Sequence, residues 1–255
     1  MHLLAIIGSG RKHGNTYHAV QALEKQLTAL DANLTVEYLN LSEVTIQPCY
    51  GCRACFDLGE ARCPRKDDVP MIAEKMLQAD GVIFATPSYV CTLSGMMKTL
   101  LDRLAYFCHR PAFHGKCAVV VTTTASSTAK LTAYTVQMPL SAMGFTVVGS
   151  AGVVVGTANI IPVPEKGQRQ LAALAGKLHR RLHSAARLTP TLPGLISFSM
   201  TRHYFSTHPD DRCYDYQYFQ QKGWLAPGRR FYTDAQPPLW KVAFARFVAI
   251  LIRHT

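Results

Sequence analysis

Short apolar runs alternate with amphipathic helical stretches over the first 155 residues, and this alternation restricts the possible folds more than any other feature of the chain. Residues 3–8 are a continuous apolar run, the pattern of a strand buried on both faces. A glycine-rich loop, Gly8 to Thr16, leads into Tyr17–Leu30, where Val20, Leu23, Leu27 and Leu30 share one helical face. Further strands are predicted at Thr35–Leu39, Gly81–Thr86, Lys116–Thr124 and Thr146–Val155. Further helices are predicted at Val69–Gln78, with Asp68 as N-cap, and at Leu93–Tyr106, Ala129–Met143 and Leu171–Ala186.

Strands that alternate with helices pair in parallel, and right-handed crossovers wind the helices onto both faces. The expectation is therefore an α/β domain over residues 1–186, a doubly wound five-stranded parallel sheet in the flavodoxin-like order 2-1-3-4-5. Ligands of such sheets bind at the carboxyl ends of the strands. That places the loops at 8–16, 86–95 and 122–128 around the candidate site.

Residues 187–255 break the alternation. They are rich in proline and aromatic residues and read as a C-terminal extension that packs on the domain or on a partner subunit. Charge separates the two parts as well. The chain carries 27 Lys and Arg against 16 Asp and Glu, a net +11. Residues 157–255 hold 14 of the bases and 5 of the acids, a net +9. A basic surface attracts phosphates, acidic lipid or acidic partners, but no nucleic-acid-binding motif accompanies it. No run of 18 apolar residues and no secretory signal pattern is present, so a cytoplasmic location is expected.

The loop after the first strand has the means to bind phosphate. Gly8, Gly10 and Gly14 allow a tight path, Ser9 and Thr16 offer hydroxyls, Arg11 offers charge, and a helix start supplies N–H groups. It lacks the Gly-Lys-Ser/Thr ending of a Walker A loop. It is also not G-x-G-x-x-G, because His13 stands where the third glycine belongs.

The sequence Gly8-Ser9-x-Arg11-x-x-Gly14-Asn15-Thr16 resembles the phosphate loop of the NADPH-dependent FMN reductase and iron-sulfur flavoprotein group. Ala79-Asp80-Gly81-Val82-Ile83-Phe84-Ala85-Thr86-Pro87-Ser88-Tyr89, Ser94-Gly95-Met96-Met97-Lys98 and Leu101-Asp102-Arg103 resemble that group in the same order. The stretch Asp215 to Trp224 resembles a tail seen in some members, with Phe219 where Trp is usual. The resemblance implies FMN, its phosphate on Ser9, Arg11, Gly14, Asn15 and Thr16. The flavin ring would lie against Pro87, Ser88, Tyr89 and Val90, with Thr122, Thr123, Thr124 and Ser126 near the ring or ribityl chain. It also implies NAD(P)H as electron donor, a small-molecule acceptor such as a quinone or another flavin, and a homo-oligomer. No acid–base residue is required, since the flavin carries the chemistry.

Cys49, Cys52, Cys55 and Cys63 form a compact run, C-x2-C-x2-C-x7-C-P. Thiolates hold iron–sulfur clusters, and the run echoes bacterial ferredoxins except for its longer last gap. A [4Fe–4S] cluster, unligated or redox-active thiols, and a structural zinc are the three readings. With a cluster, the chain could be an electron carrier without its own NAD(P)H site. A non-redox binding module is the remaining class, and the intact phosphate-loop residues argue against it. The other cysteines read as scattered thiols, and Asp102-Arg103 as a helix-end ion pair. Residues 239–252 are apolar nearly all round and too short to span a bilayer. They are expected to form a buried or subunit-capping helix, with an interfacial helix on acidic lipid as the alternative.

Overall fold

The computed structural model describes residues 1–155, 162–184, 190–234 and 237–251. The first part contains β1 (His2–Ile7), α1 (Asn15–Leu30), β2 (Thr35–Asn40), α2 (Ala54–Asp57), α3 (Val69–Gln78), β3 (Gly81–Tyr89), β4 (Thr92–Leu93), α4 (Gly95–Arg103) and α5 (Tyr106–His109). It continues through β5 (Cys117–Thr124), α6 (Ala129–Ala142), β6 (Thr146–Val154) and α7 (Glu165–Leu182). The parallel strands run in the order β2-β1-β3-β5-β6, and β4 pairs antiparallel with β3. With β5 and β6 as the fourth and fifth parallel strands, this is the expected flavodoxin-like order.

The alternation of side chains along the central strands builds two cores. Leu4, Ile6, Phe84 and Val120 face α3, α4 and α6. Leu3, Ala5, Ile7, Ile83 and Val119 face α1 and α7. Strand side chains repeat with period two, so a strand covered on both faces must be apolar throughout. Each fully buried Leu or Ile contributes about 1.5–3 kcal/mol.

The structure corrects several boundaries. The single helix expected over Leu93–Tyr106 is divided: Leu93 lies in β4, α4 ends at Arg103, and α5 starts at Tyr106. Helix α1 starts two residues earlier than expected and α7 six residues earlier. Asp68 occupies the N-cap position of α3 without capping it, because its carboxylate accepts from the Thr45 amide at 2.7 Å. The expected end of the basic helix at Ala186, the division at 186/187, and Ile252 lie outside the described residues.

The extension forms α8 (Leu192–Thr207), α9 (Tyr214–Gln221) and α10 (Leu239–Leu251). Thr191 caps α8 by accepting from the Gly194 amide, and Pro193 sits in its first turn. Leu195, Phe198, Phe205, Phe219, Trp224 and Phe231 close an aromatic core separate from those of the sheet. Gly144 seats this unit on the α/β domain. Its φ is +107°, and a Cβ there would lie 2.7 Å from the Tyr232 hydroxyl. Of the forms expected for residues 239–252, helix α10 is not the fully buried one: only Val242, Ala245 and Ala249 are buried, against the rest of the extension.

Candidate functional site

Two groups of residues stand out, one at the carboxyl ends of β1, β3 and β5, the other in the loop between β2 and α3. In the first, Gly8 ends β1, and its amide donates to the Ala85 carbonyl at 2.8 Å. The Ser94 hydroxyl donates to the Gly8 carbonyl at 2.6 Å and accepts from the Met97 amide at 3.2 Å. One side chain thus caps α4 and fixes the glycine loop. A Cβ at Gly8 would meet Met97 Cβ at 2.9 Å, so this approach requires glycine.

The loop then turns on itself. Ser9 Oγ accepts from the Arg11 amide at 3.2 Å, and the Gly14 amide donates to the Arg11 carbonyl at 3.2 Å. Gly14 is the N-cap of α1, no side chain caps this helix, and its first turn holds no carboxylate. An N-terminus kept in this state favours an anion. Ser9, Asn15 and Thr16 are buried there and Arg11 is exposed beside them. Thr16 Oγ1 lies 2.8 Å from Thr123 Oγ1, which joins the first and third loops. These residues fit a phosphate monoester such as that of FMN.

The second wall is a hydroxyl lattice. Ser88 Oγ lies 2.8 Å from both Thr128 Oγ1 and Thr132 Oγ1. Thr124 Oγ1 lies 3.1 Å from Thr128 Oγ1 and accepts from the Ser126 amide at 3.1 Å. Thr122 stands apart from the other expected contacts: its hydroxyl is turned to the Ala129 and Ala151 carbonyls at 3.3 and 3.5 Å. Pro87 is buried, Tyr89 is half exposed and Val90 fully so. Val90 and Cys91 have φ of 47° and 65° and form the tight turn between β3 and β4. Left-handed backbone at a β-branched residue costs about 1–3 kcal/mol. Such a turn holds Tyr89 and its neighbours rigidly at the lip of the site.

The cysteine loop is organised by two arginines: Arg103, expected to pair with Asp102 at a helix end, and Arg110, which the sequence did not single out. Arg103 forms a buried two-pronged ion pair with Asp67, Nη1–Oδ2 2.5 Å and Nη2–Oδ1 3.1 Å. It also donates to the Gln47 carbonyl at 2.9 Å and approaches Cys63 Sγ at 3.7 Å. Arg103 therefore does not pair with Asp102, which pairs with Lys98. Burial pushes the Asp67 carboxyl up, but the Arg103 bond and the amides of Gln47 and Val69 hold it below the ordinary carboxylate range.

Arg110 is the second organiser. It donates to the Cys55 carbonyl at 3.1 Å and to Glu60 at 2.7 Å, and it pairs with buried Asp215 of the extension. His109 Nδ1 lies 2.6 Å from the other Asp215 oxygen, and its ring stacks on Phe56. Burial, then Arg110 and Arg53, bring the His109 pKa down to about 4, so a neutral imidazole donates to Asp215. Tail residue Asp215 thus reaches the cysteine loop. A lone acid in an otherwise aromatic stretch was the sequence signal for it.

Cys49, Cys52, Cys55 and Cys63 line one cavity of about 510 Å³, together with Arg65 and Lys66. Burial pushes the Cys55 thiol up, with the nearby Cys63 and Cys49 adding to it and Arg110 opposing. Left-handed backbone at Gly51 and Arg53 curls the loop, and the Gly51 amide donates to Cys49 Sγ at 3.4 Å. Among the described residues no three Cys, His, Asp or Glu side chains converge on a single-ion site. Four thiols lining one cavity, with the Gly51 amide and the Arg103 guanidinium approaching sulfur, instead suit the donor chemistry of an iron–sulfur cluster. Of the remaining cysteines, Cys117 is buried and Cys91 exposed, and no disulfide forms among the described residues.

Comparisons with known proteins agree with this arrangement. A profile of the NADPH-dependent FMN reductase family matches residues 1–159. An iron-sulfur flavoprotein of Archaeoglobus fulgidus is 27% identical over 230 residues, 88% of this chain and 100% of that protein. An iron-sulfur flavoprotein of Clostridioides difficile is 29% identical over 177 residues, 69% of this chain and 77% of that protein. Among solved structures, an NADH:FMN oxidoreductase has a TM-score of 0.53 at 23% identity, covering 72% of this chain and 91% of its own. An NAD(P)H:quinone oxidoreductase from Methanothermobacter marburgensis also has a TM-score of 0.53, at 17% identity, covering 74% of this chain and 98% of its own. These two share the fold. The family profile covers more than half of the chain and includes every element of the phosphate-loop site. The chain belongs to the NADPH-dependent FMN reductase family, a family of flavin oxidoreductases.

Proposed function

We propose that this chain is an FMN-dependent NAD(P)H oxidoreductase that also carries a [4Fe–4S] cluster on Cys49, Cys52, Cys55 and Cys63, and that it passes electrons to a quinone, a flavin or a similar acceptor. The observation that carries the reading is that all four thiols line one cavity in a chain whose α1 N-terminus is left open to an anion. FMN, when bound, would supply the hydride and electron-transfer chemistry. The residues of the chain bind and orient. Ser9, Arg11, Asn15, Thr16 and the α1 amides hold the phosphate. The Ser88, Thr124, Thr128 and Thr132 hydroxyls stiffen the wall, and the strained Tyr89–Thr92 turn sets the ring's edge. Arg103 and Arg110 hold the cysteine loop in place before any metal arrives.

An electron carrier without its own NAD(P)H site is the second reading. It is supported by relatives named iron-sulfur flavoproteins, one of them matched along its whole length. Assembly as a homo-oligomer and a cytoplasmic location belong to the proposal too. Exposed Leu131, Tyr134 and Met138 on one face of α6, beside the β3–β4 turn, support the assembly.

The test is purification without oxygen, followed by an absorbance spectrum, flavin identification, and iron and sulfide assays. The reading expects FMN and about four irons per chain, with the flavin bleached by NAD(P)H. Bleaching by a reduced ferredoxin alone would select the carrier. Flavin without iron would leave a simple FMN reductase, and failure to take up added FMN would overturn both readings.

A further inference from the structure

Helix α10 and a cationic pocket beside it are not used by either site described above. One face of α10 is buried on α8 through Val242, Ala245 and Ala249. The opposite face bears Trp240, Phe244, Phe247 and Leu251, with Trp240 65% and Phe247 59% exposed. At about 100° per residue, Lys241 and Arg246 fall on the two borders of that apolar arc. The helix carries no carboxylate. No helix among the described residues is long and apolar enough to cross a membrane, and 13 residues of α10 extend only about 20 Å.

The pocket, of about 310 Å³, is lined by Arg202, His203, Arg230 and Arg246, and Ile250 of α10 forms part of its wall. Among the described residues no acidic side chain lines it. Arg202 spends its hydrogen bonds on the Trp224 and Ala226 carbonyls at 2.8 and 2.9 Å, not on a counter-ion. Burial, and then the charge of Arg246, weaken its hold on its proton. His203 Nε2 is buried without a hydrogen-bond partner among the described residues. Arg202, His203 and Arg246, with no acidic side chain beside them among the described residues, form a concave site that suits an anion.

We infer that the extension docks on an anionic lipid bilayer, with α10 lying in the plane of the interface and an anionic headgroup seated between Arg202 and Arg246. An apolar arc bordered by cations is the form of a helix that immerses its rings in the acyl boundary and keeps its charges at the headgroups. A second copy of this chain would cover the rings but would bring the same cations face to face. Only an anionic surface satisfies the rings and the arginines together. The inference does not depend on the cofactors.

The test uses the full chain with vesicles of phosphatidylcholine alone and of equimolar phosphatidylcholine and phosphatidylglycerol, read by co-sedimentation and by Trp240 fluorescence. Binding and a blue shift are expected on the anionic vesicles alone, and weakening as salt shortens the Debye length. Replacing Phe244 and Phe247 together by Ser should lower the partition at least tenfold. Lys241→Gln should lower it about fivefold. All three side chains are on the surface, and unchanged thermal unfolding would show the variants folded. Absence of vesicle binding by the wild type overturns the inference. So does self-association that is lost with Phe244 and Phe247, or saturation of the pocket by inorganic phosphate, when either occurs without vesicle binding.

Discussion

The carboxylate of Asp215, in the C-terminal extension, is buried against the guanidinium of Arg110 in the α/β domain. Arg110 uses the same guanidinium to hold the Cys55 carbonyl. The tail therefore bears directly on the cysteine loop. Asp215→Asn should destabilise the chain by about 1–3 kcal/mol, because it leaves the buried Arg110 with the half-exposed Glu60 as its remaining counter-charge. Limited proteolysis should then cut within residues 49–66 faster, and iron retention should fall, with flavin content unchanged. Unchanged cleavage would show that the tail does not clamp the loop.

Acid should release the same loop from its other end. Asp67 ionises at a lower pH folded than unfolded. Its contribution is thus complete above the unfolded value of about 3.9 and is lost as pH falls through the lower folded value. Unfolding free energy measured from about pH 6 to pH 2 should fall along that limb. In Asp67→Asn the limb should be shallower, and the baseline stability lower, since Arg103 is left unpaired.

The turn after Tyr89 stores strain that can be removed. Asn tolerates the left-handed region far better than Val, so Val90→Asn should stabilise the chain by about 1 kcal/mol. For a chain of this size the midpoint should rise by about 2–4 °C. A calorimetric scan checks this, and a fall in the midpoint would show that Val90 packs productively where it stands.

Ser94→Ala removes the cap of α4 and the anchor on the Gly8 carbonyl. The cost should be about 1–2 kcal/mol of stability, and FMN should bind at least several-fold more weakly because the loop is slack. Arg11→Ala, at an exposed position, should weaken FMN about tenfold and leave the unfolding midpoint unchanged. Calorimetric titration of both variants separates loop order from direct charge.

The sheet was legible because each central strand must be apolar on two faces, which writes itself into residues 3–8, 81–86 and 116–124. The phosphate loop was legible for a similar reason: its glycines and hydroxyls answer a local geometric demand. The end of the Leu93–Tyr106 helix was not. Apolar periodicity runs through Leu104 and Phe107, and the break comes from α5 packing on the extension, a contact far away in sequence. Arg110, and the true partners of Arg103 and Asp215, escaped for the same cause. Each looks like an ordinary surface charge until the fold buries it with a distant partner. Ser94 carried a readable local sign, a hydroxyl just before a helix. The exposed face of α10 could not be read, because apolar residues all round a helix do not say which face finds a neighbour.

The clamp on the cysteine loop also sets an order of events during synthesis. Domains form from the amino-terminal end as the chain leaves the ribosome. The phosphate loop and the first five strands can therefore assemble while residues 210–224 are still inside the exit tunnel. Cys213, whose thiol donates to the Phe56 carbonyl, and Asp215 arrive later than everything they fasten. Until then the four thiols lie on a segment held by Arg103 and Arg110 alone, without the Asp215 and Cys213 contacts. On the proposed function, a nascent chain would be ready for flavin before it is ready for iron, and truncation between α7 and Asp215 should yield a protein that is yellow but never brown.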